Sequence, residues 1–287
     1  MAGIFRGEAG LRLNETADLA RPSAAWASDG RGRAYLWQGL SLWVGRSDGR
    51  TQWHDHHAHQ LALAPTGELR FRTEADGPWA AFAGALVPSH CKHQFEADAL
   101  RVAHLFVEPE SRAGRALTRR FGSAAVAALP EDEVREAARA LFAAFEAGAG
   151  TPGMQHAAKA ALQALCGAGV EPDEALDPRL VRALDYIRRH IGRPLSLGEV
   201  AASVALSESR FRHLFVGGTG CSFRAYLLWL RINLAIEAVM AGASWTEAAH
   251  QAGFADSAHL SRTHKRMFGI EPSSMRPTAR EAQGGHL

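Results

Sequence analysis

The stretch LSLGEVAASVALSESRFRHLF, residues 195–215, decides the fold of the carboxyl-terminal part of this chain. Its first half carries an apolar stripe at helical spacing, formed by Leu197, Val200, Ala201 and Val204. Ala205-Leu206 then makes a short turn, and Ser207 is a good N-cap for a second helix. The stretch therefore predicts two short helices joined by a tight turn.

The second of these helices has one apolar and one polar face. Phe211, Leu214 and Phe215 are predicted to point inward. The outward face carries Ser209, Arg210, Arg212 and His213. Guanidinium, imidazole and hydroxyl groups on one helix face can reach the base edges of a DNA major groove. We therefore predict that Ser209, Arg212 and His213 read bases, and that the neighbouring Arg210 contacts phosphate.

The same design recurs in GFADSAHLSRTHKRMFGIEPSSMR, residues 253–276. The residues before it form an apolar stripe of Trp245, Ala248, Ala249 and Ala252, and Asp256 is the next cap. The following helix is predicted to bury Leu260, His264, Met267 and Phe268. Its predicted base-reading residues are Ser257, Ala258, His259 and Arg262. Lys265 and Arg266 come about one turn later, where we expect phosphate contacts.

A helix is predicted between the two units, from Phe223 to about Met240. At 1.5 Å per residue it would be about 27 Å long. Such a helix could hold two base-reading helices about 34 Å apart, which is one turn of duplex DNA. One chain could then read two successive major grooves.

These motifs resemble the DNA-binding domain of the AraC/XylS family of bacterial transcription regulators over residues 178–278. The resemblance implies a promoter-binding protein that acts on double-stranded DNA and contacts RNA polymerase, usually as a homodimer. The chain departs from the family pattern at His264, where Phe is usual. It also departs at Val216-Gly217-Gly218, which replaces a commonly basic stretch.

Composition and charge agree with a DNA-binding role for the carboxyl-terminal part. The chain has 287 residues, enough for about two domains. Residues 177–287 carry a net charge of +5, and the rest carries −3, which favours a polyanionic partner for the former. Three scattered cysteines offer neither a CxxC clip nor a disulfide framework, so we expect reduced thiols. Charged residues in the first twenty positions and the absence of a long apolar run predict a cytoplasmic protein without membrane contact.

The amino-terminal part is predicted to contain short strands and then helices. The strands are predicted over Ala34–Leu42, Leu61–Leu63, Leu69–Thr73, Ala85–Pro88 and Arg101–Val107, with a turn at Ser47–Gly49. Helices are predicted near 111–121, 131–147 and 153–167, and about seven more follow an acidic linker over Gly169–Pro178. The predicted class is α+β. Its domains are a sensing barrel (1–112), a helical connector that mediates dimerisation (113–170) and a DNA-binding domain (178–280).

Histidines concentrate in Trp53–Gln60, where period two places His54 and His56 on one strand face. With Gln60, the turn at Gly67 and His93, this pattern resembles the cupin barrel found as the sensor half of many AraC-type regulators. The resemblance implies an effector pocket formed by His54, His56, Gln60 and His93, with His57 and His59 outside it and His104 a hydrogen-bonded strand histidine. His54, His56 and His93 could instead hold a divalent metal, although the usual cupin Glu is replaced by Gln60, a poor metal ligand.

We therefore expect a one-component transcription regulator that responds to a small molecule and is not an enzyme. One alternative is a regulator that senses metal through the histidines. A cupin metalloenzyme is another, but it needs three firm ligands and leaves the two base-reading helices unexplained. A third is a nucleoid-type protein that binds DNA without sequence preference.

Overall fold

The computed structural model describes residues 30–167 and 175–276. Within them an antiparallel sheet is followed by three helices packed against it and then by a helical domain. This order confirms the predicted α+β class. Predictions about residues 1–29, about most of the acidic linker and about residues 277–280 lie outside the described ranges. None of the helices in the described ranges is both long enough and apolar enough to span a bilayer.

The amino-terminal strands form the sheet domain, residues 30–107. They are β1 (Gly30–Trp37), β2 (Leu40–Arg50), β3 (His59–Leu63), β4 (Leu69–Arg72), β5 (Ala80–Phe82), β6 (Gly84–Val87) and β7 (Gln94–Val107). The long strand β7 pairs with β2, β3 and β4. Among these strands the order is β6-β3-β7-β2-β1, with β5 bonded to β4, and hydrogen bonds do not close the described strands into a ring.

The strand prediction missed β5, started the last strand at Arg101 although β7 begins at Gln94, and misplaced two turns. The predicted strand Ala34–Leu42 is divided between β1 and β2 by a turn at Gly39, whose φ of 74° suits glycine. The predicted turn at Ser47–Gly49 is instead part of β2, where the register against β7 shifts and Gly49 has a φ of 93°. Both sites contain a glycine in the left-handed region, but the second forms a bulge rather than a chain reversal.

Three helices and a short strand follow: α1 (Arg112–Phe121), β8 (Ala127–Ala128), α2 (Glu131–Glu146) and α3 (Gly150–Cys166). Leu117, Leu141 and Met154 from these helices share one hydrophobic core with Leu42 and Leu105 of the sheet. The predicted connector is therefore folded back onto the sheet.

The carboxyl-terminal helical domain contains α4 (Pro178–His190), α5 (Leu197–Ser203), α6 (Glu208–Thr219), α7 (Phe223–Met240), α8 (Trp245–Gln251), α9 (Ser257–Phe268), a 3-10 turn (Pro272–Ser274) and β9 (Met275–Arg276). Backbone amides donate to the N-cap side chains of α4 to α9, which are Asp177, Ser196, Ser207, Ser222, Ser244 and Asp256. Ser207 and Asp256 are the caps predicted above. At Ser244 the reciprocal bond from Glu247 completes a capping box. Polar caps thus fix where each helix begins.

The sheet domain and the helical domain share a core. Trp229, Ile232 and Leu260 of the helical domain are buried in one hydrophobic cluster with Ala58, and Phe106 of β7 packs against it. In addition, β9 pairs in parallel with the start of β1. The two halves therefore form a continuous structure over the described residues.

Candidate nucleic-acid interface and effector cavity

The first helix-turn-helix unit consists of α5 and α6. The turn between them is tight, since Ala205 adopts a φ of 57°. Val200, Ala201, Phe211 and Phe215 are buried in one core. Ser209, Arg210, Arg212 and His213 are all exposed. The predicted outward face of α6 is therefore available to a ligand.

The second unit consists of α8 and α9, and the side chains of its outward face are less exposed to solvent than those of α6. Ala258, Arg262 and Arg266 are exposed, whereas Ser257 and His259 are half-buried. The His259 ring lies edge-on to Phe254, with the ring centroids 5.2 Å apart. Lys265 Nζ forms an ion pair with Glu271 Oε1 at 2.5 Å. Two of the predicted DNA contacts thus already have partners within the protein.

The helix α7 joins the units as one unbroken helix of 18 residues, as predicted. Its side chains Trp229, Ile232 and Ile236 are buried, so packing holds it in place. His264 is buried as predicted, and its Nδ1 atom lies 3.0 Å from the carbonyl oxygen of Ile270. Burial lowers the pKa of His264 to about 4. The imidazole therefore packs in its neutral form within the core of the helical domain.

His54, His56 and His93 converge, as the pattern of residues predicted. One nitrogen from each ring lies within 4.8 Å of the others. Their Nδ1 atoms lie 2.8–2.9 Å from the backbone oxygens of Gln52, Ala58 and Cys91. Burial lowers the pKa of His54 to about 3 and also lowers those of His56 and His93. His54 and His93 therefore carry the proton on Nδ1 and leave Nε2 unprotonated, whereas both nitrogens of His56 face oxygen atoms, the Ala58 carbonyl and Gln60 Oε1.

These histidines lie on an irregular segment, because β3 begins only at His59 and a single bridge joins His54 to His93. The alternation expected of a strand still separates His54 and His56 from His57. Gln60 completes the group: its Oε1 atom lies 2.9 Å from His56 Nε2, and its Nε2 atom lies 3.1 Å from His104 Nδ1.

A cavity of about 110 Å³ lies between the sheet and the helical domain. Its walls are largely apolar, with Trp43, Phe95 and Phe106 from the sheet. The helical domain contributes Asn233, Ile236, Phe268 and Ile270. The cavity is therefore bounded by both halves of the chain.

The predicted pocket residues divide into two pairs. His54 and Gln60 line the cavity, whereas His56 and His93 contact these residues without lining it. The hydrogen-bonded His104 is also a lining residue, which its position in the sequence did not reveal. The lining residues from α7 and α9 were missed as well, because no sequence pattern indicates which face of α7 meets the sheet.

His57 and His59 do not line the cavity, as expected, but both are buried. His59 Nε2 lies 2.9 Å from Thr118 Oγ1 of α1. His57 Nε2 lies 2.9 Å from Glu110 Oε2, and its ring packs edge-on to Tyr226 of α7. These histidines therefore pack against the helices that surround the sheet.

An ion pair also joins the two halves. Arg188 of α4 donates to Glu108 Oε2 at 2.6 Å and to the hydroxyl of Tyr226 at 3.1 Å. Glu108 follows β7 directly and is buried. Since a buried charge needs a partner, this contact links the end of the central strand to α4, which shares a core with the first helix-turn-helix unit.

The Cys221 thiol lies beside the imidazoles of His57 and His90. Burial alone would raise its pKa, but these imidazoles lower the pKa to about 7. Cys91, Cys166 and Cys221 are not paired with one another in the structure. Cys221 lies between α6 and α7, so this neighbourhood too is formed from both halves of the chain.

Comparison with known proteins shows that the carboxyl-terminal part of the chain is similar to helix-turn-helix domains. A family model described as "Helix-turn-helix domain" matches residues 200–278. An uncharacterised HTH-type transcriptional regulator of Escherichia coli, YidL, is 36% identical over 81 residues, which are 28% of this chain and 27% of that protein. The probable transcriptional regulator LumQ of Photobacterium leiognathi is 26% identical over 90 residues, or 31% of this chain and 36% of that protein.

The matched stretches thus span about a quarter to a third of these two curated relatives. Among solved structures, ToxT from Vibrio cholerae is similar with a TM-score of 0.49 and 11% identity. That comparison covers 83% of this chain and 96% of ToxT.

Proposed function

Because its carboxyl-terminal part is a helix-turn-helix domain of the AraC type, we propose that this chain is a one-component transcription regulator. It binds promoter DNA in a sequence-specific way, and a small molecule held in the interdomain cavity changes its affinity for DNA. Its role is regulatory rather than catalytic, and it works in the cytoplasm, where the promoter is accessible.

The DNA-binding part of the proposal rests on the two outward helix faces. Arg212 and His213 on α6 and Arg262 on α9 are exposed, so they can reach base edges without rearrangement of the core. Arginine suits guanine, whose O6 and N7 atoms accept two hydrogen bonds. Arg210, Lys265 and Arg266 are assigned to phosphate, which sets affinity but not base choice.

The effector part rests on the composition of the cavity wall. His54 and Gln60 come from the sheet domain, whereas Asn233, Phe268 and Ile270 come from the helical domain. A ligand shifts an equilibrium only when it binds one arrangement better than another. A molecule that touches both halves meets this condition, because its contacts change when the halves move.

The cavity favours a small, mostly apolar effector. Its volume of about 110 Å³ is below the approximately 150 Å³ of an apolar cavity that binds benzene. Its wall nevertheless offers polar atoms from His54, Gln60 and Asn233. An aromatic or short aliphatic molecule with one or two polar groups fits this chemistry, with some widening of the cavity on binding.

Regulation by a metal is a second candidate, favoured by the ring orientations of His54, His56 and His93. Each Nδ1 atom is held by a backbone carbonyl, which is the usual outer-shell arrangement for a histidine that binds metal through Nε2. The His93 Nε2 atom is buried without a hydrogen-bond partner. The residues fit a divalent ion with three histidine ligands if His56 Nε2 gives up its contact with Gln60 Oε1, and Gln60 in place of a carboxylate weakens the set.

Capture of genomic fragments by the purified chain, followed by sequencing, tests DNA recognition. We expect a few enriched sites with a shared motif, and similar recovery of all fragments would contradict the proposal. Arg212→Ala combined with Arg262→Ala should remove the enrichment. Arg139→Ala is the control, because this exposed arginine lies on α2, away from both outward faces.

The captured sites also guide the search for the effector. Small molecules made or degraded by the products of adjacent genes can be added to a gel-shift assay, with and without a chelator. A metal effector held by His54, His56 and His93 predicts a chelator effect that is lost in His54→Ala, whereas an organic effector predicts no chelator effect that depends on His54. His54→Ala combined with His56→Ala should abolish either response while leaving binding of the effector-free protein to DNA nearly unchanged.

The proposal also includes two protein partners. RNA polymerase is expected to contact the regulator at the promoter, and a second copy of the chain is expected to form a homodimer through α1–α3.

A further inference from the structure

A second group of metal-binding residues lies at the junction between the sheet domain and the first helix-turn-helix unit. His57 and His90 belong to the sheet side, and Cys221 lies between α6 and α7. One ligand atom from each lies within 4.8 Å of the others. The group shares no residue with the cluster of His54, His56 and His93.

His57 is oriented as a metal ligand would be. Its Nε2 atom is bound to Glu110 Oε2 at 2.9 Å, and both side chains are only 2% exposed. Its Nδ1 atom is buried and has no hydrogen-bond partner. A histidine that binds metal through one nitrogen typically donates the other N–H to a carboxylate. Glu110 fills that role, and the remaining nitrogen is the one available to an ion.

The other two ligands are held in place by local contacts. His90 lies in a tight turn with a φ of 59°, where its amide donates to the His56 carbonyl at 2.9 Å. Its Nδ1 atom lies 3.9 Å from Asp55 Oδ2, so a second carboxylate borders the group. The Cys221 amide donates to the hydroxyl of Thr219. Backbone contacts on both sides therefore fix the positions from which these side chains converge.

The donor set identifies the kind of ion. Two imidazole nitrogens and one sulfur suit a borderline transition metal such as Zn²⁺, whereas Mg²⁺ and Ca²⁺ require oxygen ligands. Cys221 is 7% exposed, but the His90 side chain is 36% exposed. The solvent-facing side near His90 leaves room for water as a fourth ligand.

We propose that His57, His90 and Cys221 bind one ion of the Zn²⁺ class that fastens the first helix-turn-helix unit to the sheet domain. The ion would tie the junction of α6 and α7 to the segment that also carries His54 and His56. Its effect would be to restrict how far α6 can move relative to the sheet. None of the three ligands lines the cavity, and binding of the ion does not require DNA.

Titration of the metal-free full chain with Co²⁺, without DNA, tests the site. A thiolate ligand gives bound Co²⁺ a charge-transfer absorption in the near ultraviolet that three histidines cannot give. We expect this band to saturate at one ion per chain and to disappear on addition of Zn²⁺. Binding of Co²⁺ without the band, or no binding at all, would overturn the proposal.

Matched variants locate the ligand set. Cys221→Ser should abolish the band, whereas Cys91→Ser, Cys166→Ser and His54→Ala should retain it. Glu110→Gln should weaken Co²⁺ binding by about 10- to 100-fold, as expected for an outer-shell carboxylate. A band that persists in folded Cys221→Ser would refute the assignment.

One further variant covers the case in which Cys221→Ser does not fold. His90→Asn changes a partly exposed side chain, and Asn tolerates the left-handed backbone of this turn. It should weaken Co²⁺ binding by at least about tenfold while circular dichroism stays unchanged. Unaltered Co²⁺ affinity in this variant would likewise refute the proposal. None of these readouts depends on DNA binding, so the proposed regulatory function can fail while the metal site stands, and the reverse also holds.

Discussion

The two helix-turn-helix units have helices of equal length but different surroundings. Each outward helix has 12 residues and ends at a glycine in the left-handed conformation, Gly220 in α6 and Gly269 in α9. A Cβ atom at Gly220 would meet nothing within 4 Å. A Cβ atom at Gly269 would lie 2.5 Å from the Gln52 carbonyl oxygen and 2.6 Å from His54 Nδ1. Of these two glycines, only Gly269 lies directly against the sheet domain.

This difference assigns different tasks to the two units. The end of α9 touches His54, a cavity residue, and the segment around it supplies Phe268 and Ile270 to the cavity wall. The elements next to the first unit meet the sheet through Arg188 of α4 and through Cys221, which follows α6, and neither residue lines the cavity. A ligand in the cavity should therefore act first on the second unit.

The largest expected effect comes from Gly269→Ala. The left-handed backbone costs an alanine about 1 to 2 kcal/mol, and overpacking against Gln52 adds about 1 to 3 kcal/mol. The free energy of unfolding in urea should fall by about 2 to 5 kcal/mol. Gly220→Ala is the matched control, since it has the backbone cost alone and should lose about 1 to 2 kcal/mol. Equal losses in the two variants would show that the contact of α9 with the sheet contributes nothing to stability.

The next prediction concerns the cores of the two units. Counted from the N-cap, His264 of α9 occupies the position of Phe215 in α6. Burial lowers the pKa of His264 from 6.5 to about 4. Between these values the unfolded chain binds a proton that the folded chain excludes, so stability falls as the pH falls below about 6.5.

His264→Phe should remove this loss. Relative to the unmodified chain, the variant should gain about 2 kcal/mol in the free energy of unfolding between pH 7.5 and pH 5. Urea denaturation at both pH values measures the gain. The other buried histidines titrate in both proteins and cancel in the comparison. A constant difference between the two proteins would mean that His264 accepts a proton as readily in the folded chain as in the unfolded one.

Base reading by the two units can be compared with Arg212→Ala and Arg262→Ala. Each should cost about 1 to 3 kcal/mol in binding to the captured DNA site and relax base preference near its own half of the site. Competition gel shifts with single-base variants of the site measure both effects. If only one variant changes the preference, only one unit reads bases. Arg139→Ala should change neither quantity.

The smallest expected effect concerns the two basic residues of α9, Lys265 and Arg266. Counted from the N-cap, the corresponding positions of α6 carry Val216 and Gly217. Arg266 is exposed, whereas Lys265 is paired with Glu271. Lys265 must give up this ion pair to reach phosphate, so its net contribution should be smaller. Arg266→Ala should reduce the slope of log affinity against log salt by about 0.9, and Lys265→Ala should reduce it by less. A larger change for Lys265→Ala would contradict the assignment.

The helical domain could be predicted closely from its sequence because its signals are local. Caps such as Ser207 and Asp256, and apolar stripes at helical spacing, specify where each helix begins and which face is buried. The sheet was predicted less well. Gly39 and Gly49 both adopt left-handed backbone, but only strand pairing decides that one forms a turn and the other a bulge.

The candidate sites show the same limit. The His54, His56 and His93 cluster could be predicted because two of its members are adjacent on one face of a short segment. Cys221 could not be assigned to His57 and His90, because they are far apart in sequence and meet only when the helical domain packs on the sheet. The opposite wall of the cavity, with Asn233 and Phe268, depends on that same packing.

The apolar cluster that Ala58 and Phe106 share with Trp229 has a further consequence for how the chain melts. Neither half can lose its structure without exposing apolar surface on the other, and exposure of this kind dominates the heat capacity of unfolding. Calorimetry of the intact chain should therefore record one endotherm in place of two. A fragment produced by cleavage at the acidic linker would expose its part of this apolar cluster to solvent and should self-associate.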